Sequence, residues 1–201
     1  YVQRFENLPE PLYRRIVTVG EACIEDLVRI AGDSDKSEAL RASAMALLRD
    51  IGTEAPMETY VDLVSSAKEE DELAELAAES LCDFTDETMP AELLKRYDRA
   101  PEYAQSLILD ILANFPLQEG VYELLEDKLR YHPEQRAYYA SLIAKFGDPR
   151  ALELLKELID LPDVGYVDYI ELRNAIETLG GDPGEERTFY GDPDYEAMRN
   201  I

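Results

Sequence analysis

The amino-acid sequence predicts an all-α fold, an α-α superhelix (a solenoid) of about five to six helical hairpins. Two observations lead to this prediction. Apolar residues recur at helical spacing along the chain, and no run alternates between apolar and polar residues as a half-buried strand does. The apolar pattern also repeats every 31–33 residues, a period typical of stacked helical hairpins. Because 46% of the 201 residues are apolar, the chain can bury a sizeable core.

Helical segments and turns can be assigned in order along the chain. The first predicted helix spans residues 10–19, the second ends near 31 and the third ends at 51. Later helices are expected at 57–68, 72–84, 89–99, 102–115, 119–131, 134–146, 150–159 and 166–179. Ser34, Asp35 and Ser37 are candidate N-caps of the third helix. Asp192-Pro193 is typical of the start of a short last helix that continues through Met198.

Each repeat is a hairpin of a first and a second helix. The last apolar residue of the first helix is used as the repeat mark, and these residues are Val19, Ile51, Phe84, Phe115, Phe146 and Leu179. Three residues earlier stand Ile16, Leu48, Leu81, Leu112, Ile143 and Ile176. Seven residues earlier stand Leu12, Ala44, Ala77, Ile108, Tyr139 and Leu172. Residues at these spacings lie on one face of a helix, so we expect all three sets to form the core.

The second helices also repeat, because each carries an acidic residue followed by two aliphatic residues that we expect to pack inward. The five acidic residues are Asp26, Asp62, Glu92, Glu123 and Glu153. One hairpin cannot bury both of its apolar faces, so stacking is needed. We therefore expect a single domain over 1–201, with repeats at about 9–32, 37–68, 72–100, 102–132, 134–160 and 166–181. Residues 1–8 are expected to cover the first hairpin and 182–201 to form a C-terminal capping tail.

The corner between the helices of the fifth repeat carries a recognisable motif. Gly147-Asp148-Pro149-Arg150-Ala151, followed by Leu152, Leu154 and Leu155, resembles the HEAT-like repeats first described in phycobiliprotein lyases. The resemblance implies an α-α superhelix whose second helices line the concave face, and such repeats mostly serve as binding scaffolds. In physical terms, Gly147 can end a helix in the left-handed conformation, Asp148 can cap the next helix and Pro149 fits its first turn.

Composition limits the partners. The formal net charge is −24, which repels nucleic-acid phosphates and anionic lipid and favours a basic protein partner. No apolar run approaches the ~20 residues that cross a bilayer. Cys23 and Cys82 stand alone in apolar helical stretches, which is typical of reduced core thiols in a cytoplasmic protein.

The sequence contains no pattern that indicates catalysis, a metal or a cofactor. His132 is the only histidine, which is too few for a typical zinc site, and no nucleophile motif accompanies it. The segment from Asp33 resembles the start of a calcium loop, but Glu38 stands where glycine is required and Ala44 where glutamate is required. We therefore expect an interaction protein without catalytic residues.

The acidic residues of the second helices provide the candidate binding site, which we name the acidic ladder. It comprises Asp26, Asp62, Glu92, Glu123, Glu126, Glu153 and Glu157. The alternative is local pairing at i,i+3 spacing: Asp26 with Arg29, Glu92 with Lys95 and Glu153 with Lys156. We also expect Tyr122, Tyr138 and Tyr166 to be partly exposed and to contact a partner.

These observations favour a non-catalytic protein–protein interaction scaffold that binds a basic or mixed protein segment through an acidic concave face. Two alternatives stay open. The first is a lyase-like or other small-ligand-binding subunit, and the second is an acidic decoy that occupies a nucleic-acid-binding protein.

The repeat register generates a stability prediction. Leu112→Ala is expected to lower the free energy of unfolding by roughly 2–5 kcal/mol, because Leu112 occupies a core position in the middle of the chain. Urea denaturation of the variant beside the wild type measures this loss. A loss near zero would show that the register is wrong.

Overall fold

The computed structural model describes residues 8–116 and 118–199, and within them every regular element is helical. The α-helices are α1 (Glu10–Val19), α2 (Ile24–Gly32), α3 (Glu38–Ile51), α4 (Met57–Ser66), α5 (Glu72–Cys82), α6 (Met89–Tyr97), α7 (Glu102–Leu112), α8 (Val121–Tyr131), α9 (Arg136–Phe146), α10 (Ala151–Ile159), α11 (Tyr166–Thr178) and α12 (Pro193–Arg199). Short 3₁₀ turns lie at Gly20–Cys23 and Pro133–Gln135. The predicted all-α fold class is confirmed, and the helices lie where the sequence predicts them.

The chain forms two compact units, unit 1 up to Ile111 and unit 2 from Leu112. Unit 1 has two rows of helices. The first row contains α1, α3 and α5, and the second contains α2, α4 and α6. Helix α2 packs on α3, and α4 packs on α5, so each row covers the apolar face of the other.

Unit 2 is organised by α9 and α11, which pack side by side. Helix α8 packs on α9, α10 packs on α11, and the short α12 also contacts α11. Pairs of neighbouring helices therefore build both units, as expected of helical repeats.

At two of the three predicted core positions, the register is confirmed for five of the six repeats. At the repeat mark itself only Phe146 is fully buried, whereas Ile51, Phe84, Phe115 and Leu179 are half-buried, so the prediction that this set belongs to the core is wrong. At the positions three and seven residues before the repeat mark, the buried side chains are Leu48, Leu81, Leu112, Ile143, Ile176, Ala44, Ala77, Ile108, Tyr139 and Leu172. The first repeat is the exception. Leu12 and Ile16 are only half-buried, and Val19 is 50% exposed, because α1 packs mainly against α3. The expected cover by residues 1–8 lies almost wholly outside the described residues.

The second helices differ from expectation in one respect. Four of them bury only one of the two aliphatic residues that follow the acidic residue, namely Leu27, Val64, Leu93 and Leu125. In each of these helices the other aliphatic residue is half-buried. Only α10 buries both, Leu154 and Leu155. Adjacent residues are about 100° apart around a helix, so both can be buried only where the apolar contact is wide.

The start of α3 and the end of α9 are capped as the sequence predicts. Ser37 is the N-cap of α3, and its hydroxyl oxygen accepts from the amide of Leu40 at 3.4 Å. Gly147 ends α9 with φ 83°, in the left-handed region where glycine is favoured. Asp148 accepts from the amide of Arg150 at 2.9 Å in the turn that leads into α10. The N-cap of α10 is Arg150, without a side-chain capping hydrogen bond, so the expected capping of α10 by Asp148 is wrong and this carboxylate instead orders the turn before the helix.

Two other sequence-based expectations can be compared with the structure. Cys23 and Cys82 are partly exposed, so the expectation that they are core residues is wrong. Both lie at the end of a helical segment. Among the described residues, no helix combines the length and apolar character that crossing a membrane requires.

The C-terminal tail packs on α10 and α11 through directed contacts. Arg187 donates to the carbonyl oxygens of Ile159 at 3.0 Å and Leu161 at 3.3 Å, which satisfies one acceptor at the end of α10 and one just beyond it. Asp192 accepts from the amide of Tyr166 at 3.0 Å and from that of Asp194 at 3.0 Å. One carboxylate therefore caps the start of α11 and the start of α12, as the sequence predicts for α12.

Gly181 lies where the neighbouring side chains leave no room for a Cβ atom. A Cβ atom at Gly181 would lie 2.6 Å from Leu152 Cδ2 and 2.9 Å from Ile176 Cγ2. Gly181→Ala is therefore expected to reduce the free energy of unfolding by about 1–3 kcal/mol through overpacking. Urea denaturation measures the loss, and adding Leu152→Ala should recover part of it.

Gly180 provides the matched control. It has φ +79° and no atom within 4 Å of an added Cβ, so Gly180→Ala is costly through backbone strain alone. Leu152→Ala should not relieve that strain. Equal relief of both glycine variants would contradict the steric explanation.

Candidate functional site

The acidic ladder consists of exposed or half-exposed carboxylates on the second helices. In unit 1 they lie on α2, α4 and α6, which contact one another in that order. In unit 2 they lie on α8 and α10. The acidic residue points outward because the next one or two residues of each helix pack into the core.

Arg96 joins two members of the acidic ladder in unit 1. Its Nε donates to Glu92 Oε1 at 3.0 Å within α6, and its Nη1 donates to Asp62 Oδ1 on α4. The hydrogen bond from Arg96 lowers the pKa of Glu92, and Lys95 adds a weaker contact at 3.6 Å. The two carboxylates therefore share one guanidinium between neighbouring second helices.

Asp26 does not take part in this bridge. It accepts from Arg29 of its own helix, which is the local i,i+3 pair considered as the alternative. The local pair between Glu92 and Lys95 also forms. These are exposed ion pairs, which usually contribute little to stability.

Unit 2 repeats the bridge between second helices through Arg130. Arg130 contacts Glu126 of its own helix α8 at 3.3 Å and Glu157 of α10 at 3.6 Å. The hydrogen bond to Glu126 raises the pKa of Arg130 above its usual value. The arginine thus holds α8 and α10 together at their exposed edges.

Arg150 forms a second bridge in unit 2, from the Gly-Asp-Pro-Arg corner. Its Nη2 donates to Asp148 Oδ2 at 2.7 Å, and its Nη1 donates to Glu123 Oε1 on α8 at 3.1 Å. The hydrogen bond from Arg150 lowers the pKa of Asp148. The Gly-Asp-Pro-Arg corner therefore also contacts an acidic-ladder carboxylate on the neighbouring second helix.

Tyr122 is not exposed, so that part of the prediction is wrong. Its side chain is only 6% exposed, and the guanidinium carbon of Arg150 lies 3.9 Å from the centre of its ring. Burial raises the pKa of the Tyr122 hydroxyl, so it remains protonated at neutral pH. Tyr122 supports Arg150 by a cation–π contact and offers no surface to a partner.

Tyr138 and Tyr166 are partly exposed, as predicted. Tyr138 packs against Tyr139 with ring centres 5.2 Å apart. Tyr166 packs against Tyr195 at 5.1 Å and against Phe189 at 5.7 Å, both in the C-terminal tail. Much of the Tyr166 ring is therefore covered by other aromatic rings of unit 2.

Glu153 and Asp127 differ from the other second-helix acids of unit 2. Both are exposed, and neither forms an ion pair within the described residues. The expected pair between Glu153 and Lys156 does not form, so that part of the local-pairing alternative is wrong. These two carboxylates are available to a partner without the loss of an internal contact.

The sequence does not predict that Arg96, Arg130 and Arg150 each form a contact with a carboxylate of another helix. The pair of Arg96 with Glu92 follows from helical spacing, whereas its contact with Asp62 spans 34 residues of sequence. A pattern within one helix cannot predict a contact between residues so far apart in the sequence. The described residues contain no group of three or more histidine, cysteine, aspartate or glutamate side chains that could hold a metal ion.

Comparison with protein-family models, curated proteins and solved structures finds no match to this chain.

The arginine bridge of unit 1 can be tested by a double-mutant cycle with Asp62→Ala and Arg96→Ala. We expect a coupling free energy of about 0.2–1 kcal/mol that decreases at high salt, because the pair is exposed. Urea denaturation of the four proteins measures it. The control is a second double-mutant cycle with Glu58→Ala and Arg96→Ala. Glu58 also lies on α4, but it makes no ion pair with Arg96. Equal coupling in both cycles would contradict a specific bridge.

Proposed function

We propose that this chain is a non-catalytic interaction scaffold of HEAT-like repeats that binds a basic or mixed protein segment through the second helices. The single observation that supports this proposal most is the sharing of arginines. Arg96, Arg130 and Arg150 each contact two carboxylates, so the acidic residues around them are only partly neutralised.

Shared arginines suit recognition of a mixed segment better than recognition of a purely basic one. Arg130 and Arg150 already pair with Glu123, Glu126 and Glu157, so a partner would meet positive as well as negative charge on this surface. Asp127 and Glu153 supply carboxylates with no competing internal ion pair. A lysine or arginine of the partner would contact these two residues first.

The net charge of the whole chain also favours a basic partner. A net charge of −24 attracts basic segments over a distance set by ionic strength, which raises association rates and disfavours nucleic acid. Binding through exposed carboxylates should therefore weaken as salt increases.

Charge reversal at the two unpaired carboxylates tests the proposal. The tagged full chain is used to purify partners, and the affinity of each identified basic partner is measured at about 50 and about 500 mM salt. Asp127→Lys combined with Glu153→Lys should weaken binding about tenfold at the lower salt concentration, because favourable contacts become repulsive.

The matched control is Glu185→Lys combined with Glu186→Lys. It changes the net charge equally, at two exposed residues of the C-terminal tail outside the second helices. If both double variants bind equally well, the second helices are not the binding surface. If DNA displaces the partner from the wild-type chain, the acidic-decoy alternative replaces the scaffold function.

A further inference from the structure

The C-terminal tail contains a segment without regular secondary structure, residues 184–192, that lies against α11 and the end of α10. Within the described part of the tail, residues 182–199, no side chain is fully buried. The segment is therefore held by directed hydrogen bonds and aromatic contacts and has no core of its own. Segments with few buried apolar contacts open at a lower free energy than the core does.

Helix α11 contacts the backbone of this segment through two side chains. The Tyr169 hydroxyl donates to the carbonyl oxygen of Glu185 at 3.3 Å and accepts from the amide of Arg187 at 3.0 Å. Arg173 Nη1 donates to the carbonyl oxygen of Gly184 at 3.2 Å. These contacts do not depend on the side chains of the segment, and such main-chain contacts supply affinity in the binding of peptides.

The guanidinium of Arg187 is the first side-chain anchor of the segment. Its Nη1 donates to the carbonyl oxygens of Ile159 and Leu161, at the end of α10 and just beyond it. Its guanidinium carbon also lies 5.0 Å from the centre of the Phe189 ring. The planar guanidinium of arginine suits both contacts, because it combines several N–H donors with a face that stacks on aromatic rings.

Phe189 is the second anchor, two residues after the arginine. Its ring centre lies 4.9 Å from that of Tyr169 and 5.7 Å from that of Tyr166, both on α11. Three residues further on, Asp192 accepts from the amide of Tyr166 at the start of α11. The segment therefore presents an arginine, an aromatic ring and a carboxylate at fixed spacing to one face of unit 2.

Departure of the segment would expose the groups that contact it. The carbonyl oxygens of Ile159 and Leu161 and the amide of Tyr166 would lose these partners. Water can hydrogen-bond to them, but only a segment with the same groups at the same spacing would also cover the rings of α11. The surface thus has the properties of a peptide-binding site that the chain's own tail fills.

We propose that this surface of α11 and the end of α10 binds a partner protein through an extended Arg-x-Phe-x-x-Asp segment, and that the tail occupies it as an intramolecular competitor. The partner displaces residues 184–192 and takes over their contacts. The net charge of −24 favours a partner segment that carries arginine. None of these contacts uses a carboxylate of the acidic ladder, so this proposal and the proposed function can fail independently.

The linker between α11 and the segment determines how strongly the tail competes. It is short and contains Gly180, Gly181, Pro183 and Gly184. Short linkers give effective concentrations on the order of millimolar, so a free peptide of equal intrinsic affinity would bind the wild-type chain weakly. Weakening the tail should therefore make the site accessible.

Fluorescence anisotropy with a labelled peptide of residues 183–192 tests this competition on the full-length chain. Arg187→Ala combined with Phe189→Ala in the chain removes both anchors of the tail and leaves α10 and α11 unchanged. The peptide should bind this variant at least about tenfold more tightly than the wild type. Equal affinity for the two chains, or binding to neither, would overturn the proposal.

Thr188 provides the matched control, because it lies between the two anchors and is exposed. A chain with Thr188→Ala should bind the peptide as weakly as the wild type does. In the peptide, Thr188→Ala should leave binding to the double variant unchanged, whereas Arg187→Ala or Phe189→Ala should weaken it about tenfold or more. Similar effects of all three peptide substitutions would contradict recognition through the two anchors.

A minimal peptide tests the chemistry proposed for the partner. It keeps the arginine, phenylalanine and aspartate of the segment and has alanine or serine at every other position. It should bind the double variant with an affinity within about threefold of the tail peptide, because the remaining contacts are made by the backbone. Loss of binding would show that the site is specific for the tail itself.

Hydrogen exchange of the wild-type chain tests separability of the tail without any substitution. The amide of Arg187, which donates to Tyr169, should exchange much faster than amides in α11 near Leu172, because the tail leaves without unfolding of unit 2. If the Arg187 amide exchanges as slowly as those of α11, the tail leaves only on unfolding and the proposal is wrong.

Light scattering at increasing protein concentration distinguishes a partner protein from a second copy of this chain. The wild type should remain monomeric. A dimer that Arg187→Ala with Phe189→Ala abolishes would show that the site accepts the tail of another copy, by domain swapping, and would overturn the proposal of a partner protein.

Discussion

The burial of two apolar faces on each first helix is the constraint on which the rest of the structure depends. A helix such as α3 buries Ala44 and Leu48 at helical spacing, and it contacts α1, α2 and α5 at once. One hairpin cannot supply that cover, so each helix is stable only beside its neighbours. The loosely packed α1 shows the consequence, because it contains no fully buried residue.

The same constraint determines where charged residues can lie. The inner faces are occupied by apolar residues, so the carboxylates of the second helices are directed outward. Neighbouring second helices then bring these carboxylates close together, and like charges repel. Arg96 in unit 1 and Arg130 in unit 2 reduce that repulsion by bridging two helices. The surface is therefore less negative than the acidic ladder alone suggests.

The sequence predicts the features that depend on local spacing. The helices, the core positions such as Leu112 and Ile143, and the capping residues Ser37 and Asp192 all follow from periodicity and turn chemistry. The features that it does not predict depend on contacts between distant residues. Tyr122 reads as an exposed aromatic residue, but Arg150 covers its ring from a different helix pair. The hydroxyl of Tyr60 is buried without a hydrogen-bond partner among the described residues, which spacing along the chain does not predict either.

Hydrogen exchange of the backbone amides, resolved by residue, tests the burial constraint most directly. Local stability should follow the number of covered faces, so amides in α3 and α5 should exchange more slowly than those in α1. Within unit 2, amides in α9 and α11 should exchange more slowly than those in α12, which contains no fully buried residue. Protection of α1 equal to that of α3 would contradict the claim that cover by neighbouring helices stabilises each repeat.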